Sequence, residues 1–280
     1  MRTQSVCQFV TASSIREDIV RLLSQQPQPT PTLIGKLDAC RSGVYKELSN
    51  LSERGALTEA EDGWELTACG QLVTDTIERR EATEAFLGRD LKYWQHHDLN
   101  LLPDRFRQRL PEIGEYEIVR GGMPAVNEHV SELVSRVEAS EHCDVVTPVF
   151  LQGLEDTIPD SPKTRVLVTR PVLDRILDSG DGGQRTLSSA EVRILSAEFG
   201  LSCTGDSLCL VFPNRADGDW KATFVSETDD AVAWGEGLFD SLWADADPAE
   251  EYHTDSKTLS GRRGMVGKPL ERNDSTWSTY

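Results

Sequence analysis

The sequence predicts two domains of different class, an α+β domain over residues 1–87 and an α/β domain over residues 88–246, followed by a polar tail over 247–280. Three observations predict this. Residues 14–87 carry apolar positions at helical spacing, interrupted once by a hairpin pattern. From residue 88 onward, short β-branched apolar runs alternate with helical stretches, the pattern of an α/β sheet. From Ala244 the composition turns polar, with SGRRG and a Ser/Thr-rich end, so residues from Asp247 are expected to be loosely ordered.

Residues 1–13 are polar and are expected to fray. Ser13 or Ser14 can cap a helix from Ile15 to about Gln25, with Ile15, Ile19, Leu22 and Leu23 facing a core. Pro27, Pro29 and Pro31 mark a loop. Thr30 then offers a capping hydroxyl, and Pro31 stands at a first helical position, where no N–H is needed. That helix is short, to about Leu37, and Asp38-Ala39-Cys40 breaks it. A second helix, Arg41 to Arg54, aligns Val44, Leu48 and Leu51 in one stripe. Its other face carries Arg41, Ser42, Tyr45, Lys46, Ser49 and Asn50, and Gly55 ends it. Leu57, Trp64 and Leu66 then punctuate a hairpin turning at Glu61-Asp62-Gly63, with Asp-Gly as the turn signal. Thr67 caps a helix from Ala68 to Leu87 with Leu72, Val73, Ile77 and Phe86 on its apolar side. That helix is long enough to serve as a dimer strut.

Short helix, break, amphipathic helix, glycine stop and hairpin follow one another in the order of a helix-turn-helix with a two-stranded wing. On the exposed face of the second helix, Arg41, Ser42, Tyr45, Lys46 and Asn50 can donate hydrogen bonds to base edges and phosphates. The plainer alternative is a solvated polar face on a helical hairpin of an unrelated core. The stretch VYKELSNLSERGALTEAEDGWELTACG resembles the winged helix-turn-helix of archaeal and bacterial transcription regulators. The resemblance implies double-stranded DNA as a partner, with the wing near Asp62-Gly63 along the backbone, and a homodimer reading two half-sites. One departure stands out: Cys40 occupies the slot where Ser or Thr usually caps such a helix, and Gly43 lies in its first turn. Each weakens the helix start by roughly 1 kcal/mol.

A net charge of −18 runs against a DNA-binding surface, yet residues 30–58 hold four basic and three acidic side chains, so the acid lies mostly elsewhere. Lysine is scarce, seven residues in all, while Asp and Glu are abundant. This profile resembles the acidic proteins of salt-loving archaea. At molar salt the Debye length is about 3 Å, which screens repulsion from DNA but also weakens counterion-release binding. The alternative is a protein that binds no nucleic acid. Six cysteines are spread out with no C-x-x-C pair, which reads as reduced thiols. No apolar run reaches spanning length and the N-terminus lacks a signal pattern, so no membrane association and a cytoplasmic location are expected.

In the second domain, Leu91 to Leu99 leads into Leu102-Pro103 and a short helix from Asp104 to Leu110. Strands are predicted at 116–119, 144–149, 165–169, 192–195, 208–212 and 222–225, the last three antiparallel. Helices are predicted over Pro124–Ser140, Pro171–Leu177 and from Asp229 or Asp230 to Trp243, and 178–183 reads as a flexible loop. The stretches FLGRDLKYWQHHDLNLLPDRFRQRL, DVVTPVF and AVAWGEGLFDSLW resemble the sensor domain of an archaeal regulator family named for the methanogenesis and filament-formation regulator. Together the two resemblances cover about residues 14–245. They imply a DNA-binding regulator with a ligand-sensing α/β domain, akin in fold to the phospholipase D-like sensor domain of sugar-responsive TrmB-type regulators.

Catalytic patterns are lacking in the sequence. No histidine has a lysine two residues on, as phospholipase D chemistry requires, and there is no phosphate loop with its lysine and no G-x-S-x-G elbow. His96-His97-Asp98 reads as a loop or helix cap in preference to a metal cluster, because adjacent side chains rarely converge on one ion. No cofactor is expected. A small-molecule effector would bind at the C-terminal ends of the parallel strands, at Thr147, Pro148 and Phe150 after one strand and Thr169 and Arg170 after the next. Trp94 and Trp234 can line a pocket or simply fill a core. The reading is a dimeric DNA-binding regulator, not an enzyme; the alternative is a winged-helix module that binds protein.

Overall fold

The computed structural model describes residues 5–121, 128–149, 158–159, 161–178 and 190–249. The chain divides into two compact units, Met1–Gln95 and His96–Tyr280.

The first unit is built on helices α1 (Val6–Thr11), α2 (Ser14–Gln25), α3 (Thr30–Lys36), α4 (Arg41–Glu53) and α5 (Ala68–Arg89), with strands β1 (Leu57–Ala60) and β2 (Gly63–Leu66) between α4 and α5. The N-terminal residues expected to fray form α1 instead. Val6, Phe9 and Val10 share one helical face, and Phe9 and Val10 are buried. Two guanidiniums lie over the Phe9 ring, Arg16 at 3.7 Å and Arg54 at 3.9 Å from its centroid, a pair of cation–π contacts that hold the segment down. The core joins Ile19, Val20 and Leu23 of α2 to Leu33 of α3, Val44, Leu48 and Leu51 of α4, and Val73 and Ile77 of α5.

Thr30 does not cap its own helix. Pro29 is the N-cap of α3, and the Thr30 hydroxyl accepts a 3.1 Å hydrogen bond from the indole N–H of Trp64. Gln28 and Trp64 also exchange two backbone hydrogen bonds, at 3.0 and 3.1 Å, so residue 28 adds a short third edge to the two-stranded wing. The turn is one residue earlier than the Asp-Gly signal implied: Ala60 pairs with Gly63, leaving Glu61-Asp62 as the turn. Gly63 follows with φ 124°, and a Cβ there would lie 2.5 Å from the Gln28 carbonyl. Thr67 caps α5 as expected, accepting from the Gly70 N–H at 3.1 Å. Leu72 is not on the buried side of α5; it is 68% exposed, and Gly70, Val73, Thr74, Ile77 and Phe86 form that side.

The stretch after α5, to which the sequence assigns no element, opens with a short helix, α6 (Leu91–His96), in which Tyr93 and Trp94 are buried. Trp94 packs on Phe86 with ring centroids 4.9 Å apart, so it is core.

The second unit is one eight-stranded mixed sheet of β3 (Glu117–Arg120), β4 (Asp144–Thr147), β5 (Arg165–Val168), β6 (Glu191–Ile194), β7 (Gly200–Cys203), β8 (Leu208–Val211), β9 (Ala222–Ser226) and β10 (Asp247–Pro248), in the order β10-β6-β5-β4-β7-β8-β9-β3. Strands β4, β5 and β6 are parallel and the other pairings are antiparallel. The prediction for the last three strands is therefore corrected: β8 and β9 are antiparallel, but β6 joins the parallel set. Strand β7 had no β-branched run to announce it. Asp247 and Pro248, assigned by composition to the tail, pair with Ile194 and Arg193 of β6, and Ala246 and Ala249 beside them are buried.

Helices cover both faces. Leu133 and Val137 of α8 (Glu128–Ala139) and Val172, Leu173 and Ile176 of α9 (Arg170–Asp178) pack with Val145, Val166, Val168, Cys209, Val211 and Val225. Residues 124–127 of the helix predicted from Pro124 lie outside the described residues, as do 179–183 of the expected loop. The opposite face takes α10 (Asp229–Ala244), with Trp234, Gly235, Leu238 and Phe239 buried. A Cβ on Gly235 would meet Leu208 at 2.6 Å and Cys203 at 3.1 Å, so the glycine of the WG-x-x-LF pattern is where this helix backbone comes down on the sheet. The Trp234 indole donates to the Phe106 carbonyl on α7 (Asp104–Arg107), at 3.3 Å.

Candidate nucleic-acid interface

Helix α4 buries Val44, Leu48 and Leu51 and turns Arg41, Ser42, Tyr45, Lys46 and Ser49 outward. Tyr45 is 53% exposed, an unusual position for a large ring unless something covers it. These side chains recur at i, i+4 and i+3 along one side, so they form a continuous strip. Cys40 is the N-cap, without a side-chain cap to α4; its Sγ lies 3.5 Å from the Ser42 hydroxyl.

Asn50 does not join the strip. Its amide donates to Glu47 Oε2 at 3.2 Å, and the same carboxylate oxygen accepts from Arg16 Nε at 2.6 Å. The half-buried Asn50 is thus tied to its i−3 neighbour on the same helix, which Arg16 of α2 holds in turn. Burial pushes the Glu47 carboxyl upward, but the hydrogen bonds from Arg16 and Asn50 outweigh it and hold the group below its ordinary value.

The wing follows directly from α4 through Gly55, whose φ is 75°. Glu59, Glu61 and Asp62 are exposed on it. The Thr67 hydroxyl, placed beside the Gly55 and Ala56 carbonyls, ties the base of the hairpin to the end of α4.

In the sheet unit, the residues expected to hold an effector are only partly brought together. Thr147 is buried, and its hydroxyl donates to the Val149 carbonyl at 2.6 Å. Phe150 lies outside the described residues. Thr169 and Arg170 line a cleft of about 450 Å³ at the C-terminal ends of β5 and β6, with Leu195, Ser196, Asp245 and Asp247 around them. The cleft is one strand further along the sheet than expected, and the aspartates come from the segment assigned to the start of the tail, a placement only the β10–β6 pairing supplies. Asp98 accepts from the Asn100 N–H at 3.0 Å and caps the turn at Leu99–Leu101, the cap role expected for that cluster. Among the described residues no group of three His, Cys, Asp or Glu side chains could hold a metal ion, and no helix is long and apolar enough to cross a membrane.

A helix-turn-helix with a hairpin wing, and a separate mixed sheet covered by helices on both faces, define the class of this mixed α/β chain. Comparisons with known proteins match the two units separately. Residues 4–85 match the family model described as HVO_A0261 N-terminal domain, and residues 126–245 match that of the methanogenesis regulatory protein FilR1, middle domain. The chain is 21% identical over 250 residues to Methanogenesis regulatory protein FilR1 of Methanothrix harundinacea (strain 6Ac), covering 82% of this chain and 54% of the relative. It therefore spans about half the length of that relative. Among solved structures, the archaeal chromatin protein TrmBL2 aligns with a TM-score of 0.39 at 14% identity, over 84% of this chain and 93% of its own. The phospholipase D family member Nuc from Salmonella typhimurium aligns at 0.35 and 8% identity, over 48% of this chain and 98% of its own.

Proposed function

We propose that this protein is a DNA-binding transcription regulator of the cytoplasm and not an enzyme. Helix α4 enters the major groove, with Arg41, Ser42, Tyr45 and Lys46 contacting base edges and phosphates. The observation that carries the reading is the exposed strip of donors on a helix whose opposite face is fixed in a core. The similarity to a regulatory protein supports it. The chain acts as a homodimer, so that two copies of α4 read two half-sites. Its sheet unit, akin to phospholipase D-like sensor domains, binds a small-molecule effector at the cleft beside Thr169 and Arg170 and shifts the spacing of the reading helices. The acidic composition suits a concentrated-salt cytoplasm.

The double variant Tyr45→Ala/Lys46→Ala tests this. Crosslinking and sequencing of DNA bound to the tagged protein in high-salt cells should give discrete promoter peaks that vanish in the variant. Undiminished peaks would sink the assignment of α4. A second reading, in which the winged helix binds protein, draws on the small excess of positive charge in residues 30–58. It predicts no duplex binding at any salt concentration.

A further inference from the structure

Between Arg54 and Arg79 the chain has no lysine or arginine, but it has six carboxylates: Glu59, Glu61, Asp62, Glu65, Asp75 and Glu78. Glu59, Glu61 and Asp62 are exposed around the turn of the wing. A hairpin with four-residue strands reaches about 13 Å from its base. The hairpin is also fixed in place: Trp64 bonds the backbone of Gln28 and the hydroxyl of Thr30, and Gly63 sits tight against the Gln28 carbonyl. The backbone that carries its carboxylates is therefore held in place at the end of α4.

A wing that gripped a phosphate backbone would carry basic side chains at its tip, because phosphate contacts by Lys and Arg supply most sequence-independent affinity. This wing carries the opposite charge. We propose that it is an electrostatic filter: Glu59, Glu61 and Asp62 repel the phosphate backbone, suppress binding to duplexes of arbitrary sequence, and leave affinity to the contacts of α4. The inference rests on the DNA-binding reading of α4. In water, a carboxylate about 10 Å from a phosphate lowers affinity roughly twofold without salt and about 1.4-fold at about 50 mM salt, so three together lower it about threefold there. At molar salt the Debye length is about 3 Å and the filter is silent. In dilute salt, then, the wing sharpens selectivity, and in concentrated salt the solvent does.

The test uses the full chain and the variant Glu59→Gln/Glu61→Gln/Asp62→Asn, three exposed positions where neutral isosteres preserve the fold. Fluorescence anisotropy reads affinity for a duplex of scrambled sequence at about 50 mM and about 1 M salt. The variant should bind about threefold more tightly than the parent at the lower salt and equally at the higher. Equal or weaker binding by the variant at low salt overturns the filter while the DNA-binding reading stands. Failure of both proteins to bind this duplex at the lower salt overturns the filter, and the DNA-binding reading is then decided by the promoter peaks of the parent against Tyr45→Ala/Lys46→Ala.

Discussion

Arg16 Nε donates to Glu47 Oε2 at 2.6 Å, joining α2 to the inner edge of α4, and both side chains are more than four-fifths buried. Arg16 also donates to the Phe9 carbonyl at 2.5 Å, so one guanidinium fixes three segments. Removing the charge with Glu47→Gln should cost about 2 kcal/mol, the range for a hydrogen bond to a charged group, read as a lower urea midpoint. The pH dependence has a definite sign. The folded state holds the Glu47 carboxyl below its ordinary value, so its contribution is present above about pH 4.3 and is lost as pH falls through the folded value. Acid titration of the parent should show this loss, and Glu47→Gln should lack that part of it.

Two glycines on α5 should respond oppositely to the same substitution. A Cβ on Gly70 would overlap the Ala56 carbonyl oxygen at the base of the wing, while nothing lies within 4 Å of one on Gly88. Gly70→Ala should destabilise by about 1–3 kcal/mol through overpacking. Gly88→Ala should stabilise by about 0.5–1 kcal/mol through helix propensity. Thermal melts of the two variants decide both signs.

Arg165 divides its hydrogen bonds between two carboxylates of unequal burial. It takes both oxygens of Asp144, at 2.8 and 2.6 Å, and one of Asp240, at 2.8 Å. The Asp144 side chain is 12% exposed and that of Asp240 is 62% exposed. Asp144→Asn should cost about 2 kcal/mol, and Asp240→Asn less than about 1 kcal/mol because solvent screens it. Equal losses in denaturant titration would refute this ranking.

The cysteines should fall into reactive and inert groups. Cys40 is exposed, and hydrogen bonds from the Ser42 hydroxyl and then the Gly43 N–H hold its thiol below the ordinary value. Burial pushes Cys143 and Cys203 up to about 12. Iodoacetamide near neutral pH should label Cys40 early and reach Cys143 and Cys203 only after unfolding, because the thiolate is the nucleophile. Peptide mass spectrometry over time reads the order.

Much of the N-terminal unit was legible in the sequence, because helical periodicity and local punctuation specify it. Val44, Leu48 and Leu51 face the core, Thr67 caps α5, and the hairpin turns within one residue of the Asp-Gly signal. Other departures arose where a side chain took a protein partner in place of its expected role. Thr30 looked like a cap and instead holds Trp64, 34 positions away. Asn50 looked presented and instead turns to Glu47, itself held by Arg16. The cleft beside Thr169 was half legible: the strand-end rule located Thr169 and Arg170, but no local pattern announced Asp245 and Asp247 beside them.

By itself, then, the sequence determined the succession of elements, the inward faces of α2 and α4, and the charge carried by each surface, since these depend on residues three or four apart or on composition alone. Tertiary structure decided the direction of β6, the existence of β7 and β10, the partner of Thr30, and the position of the cleft. Each of these depends on pairings between residues far apart in the chain, and their geometry is set by which strand lies beside which and which helix closes over them.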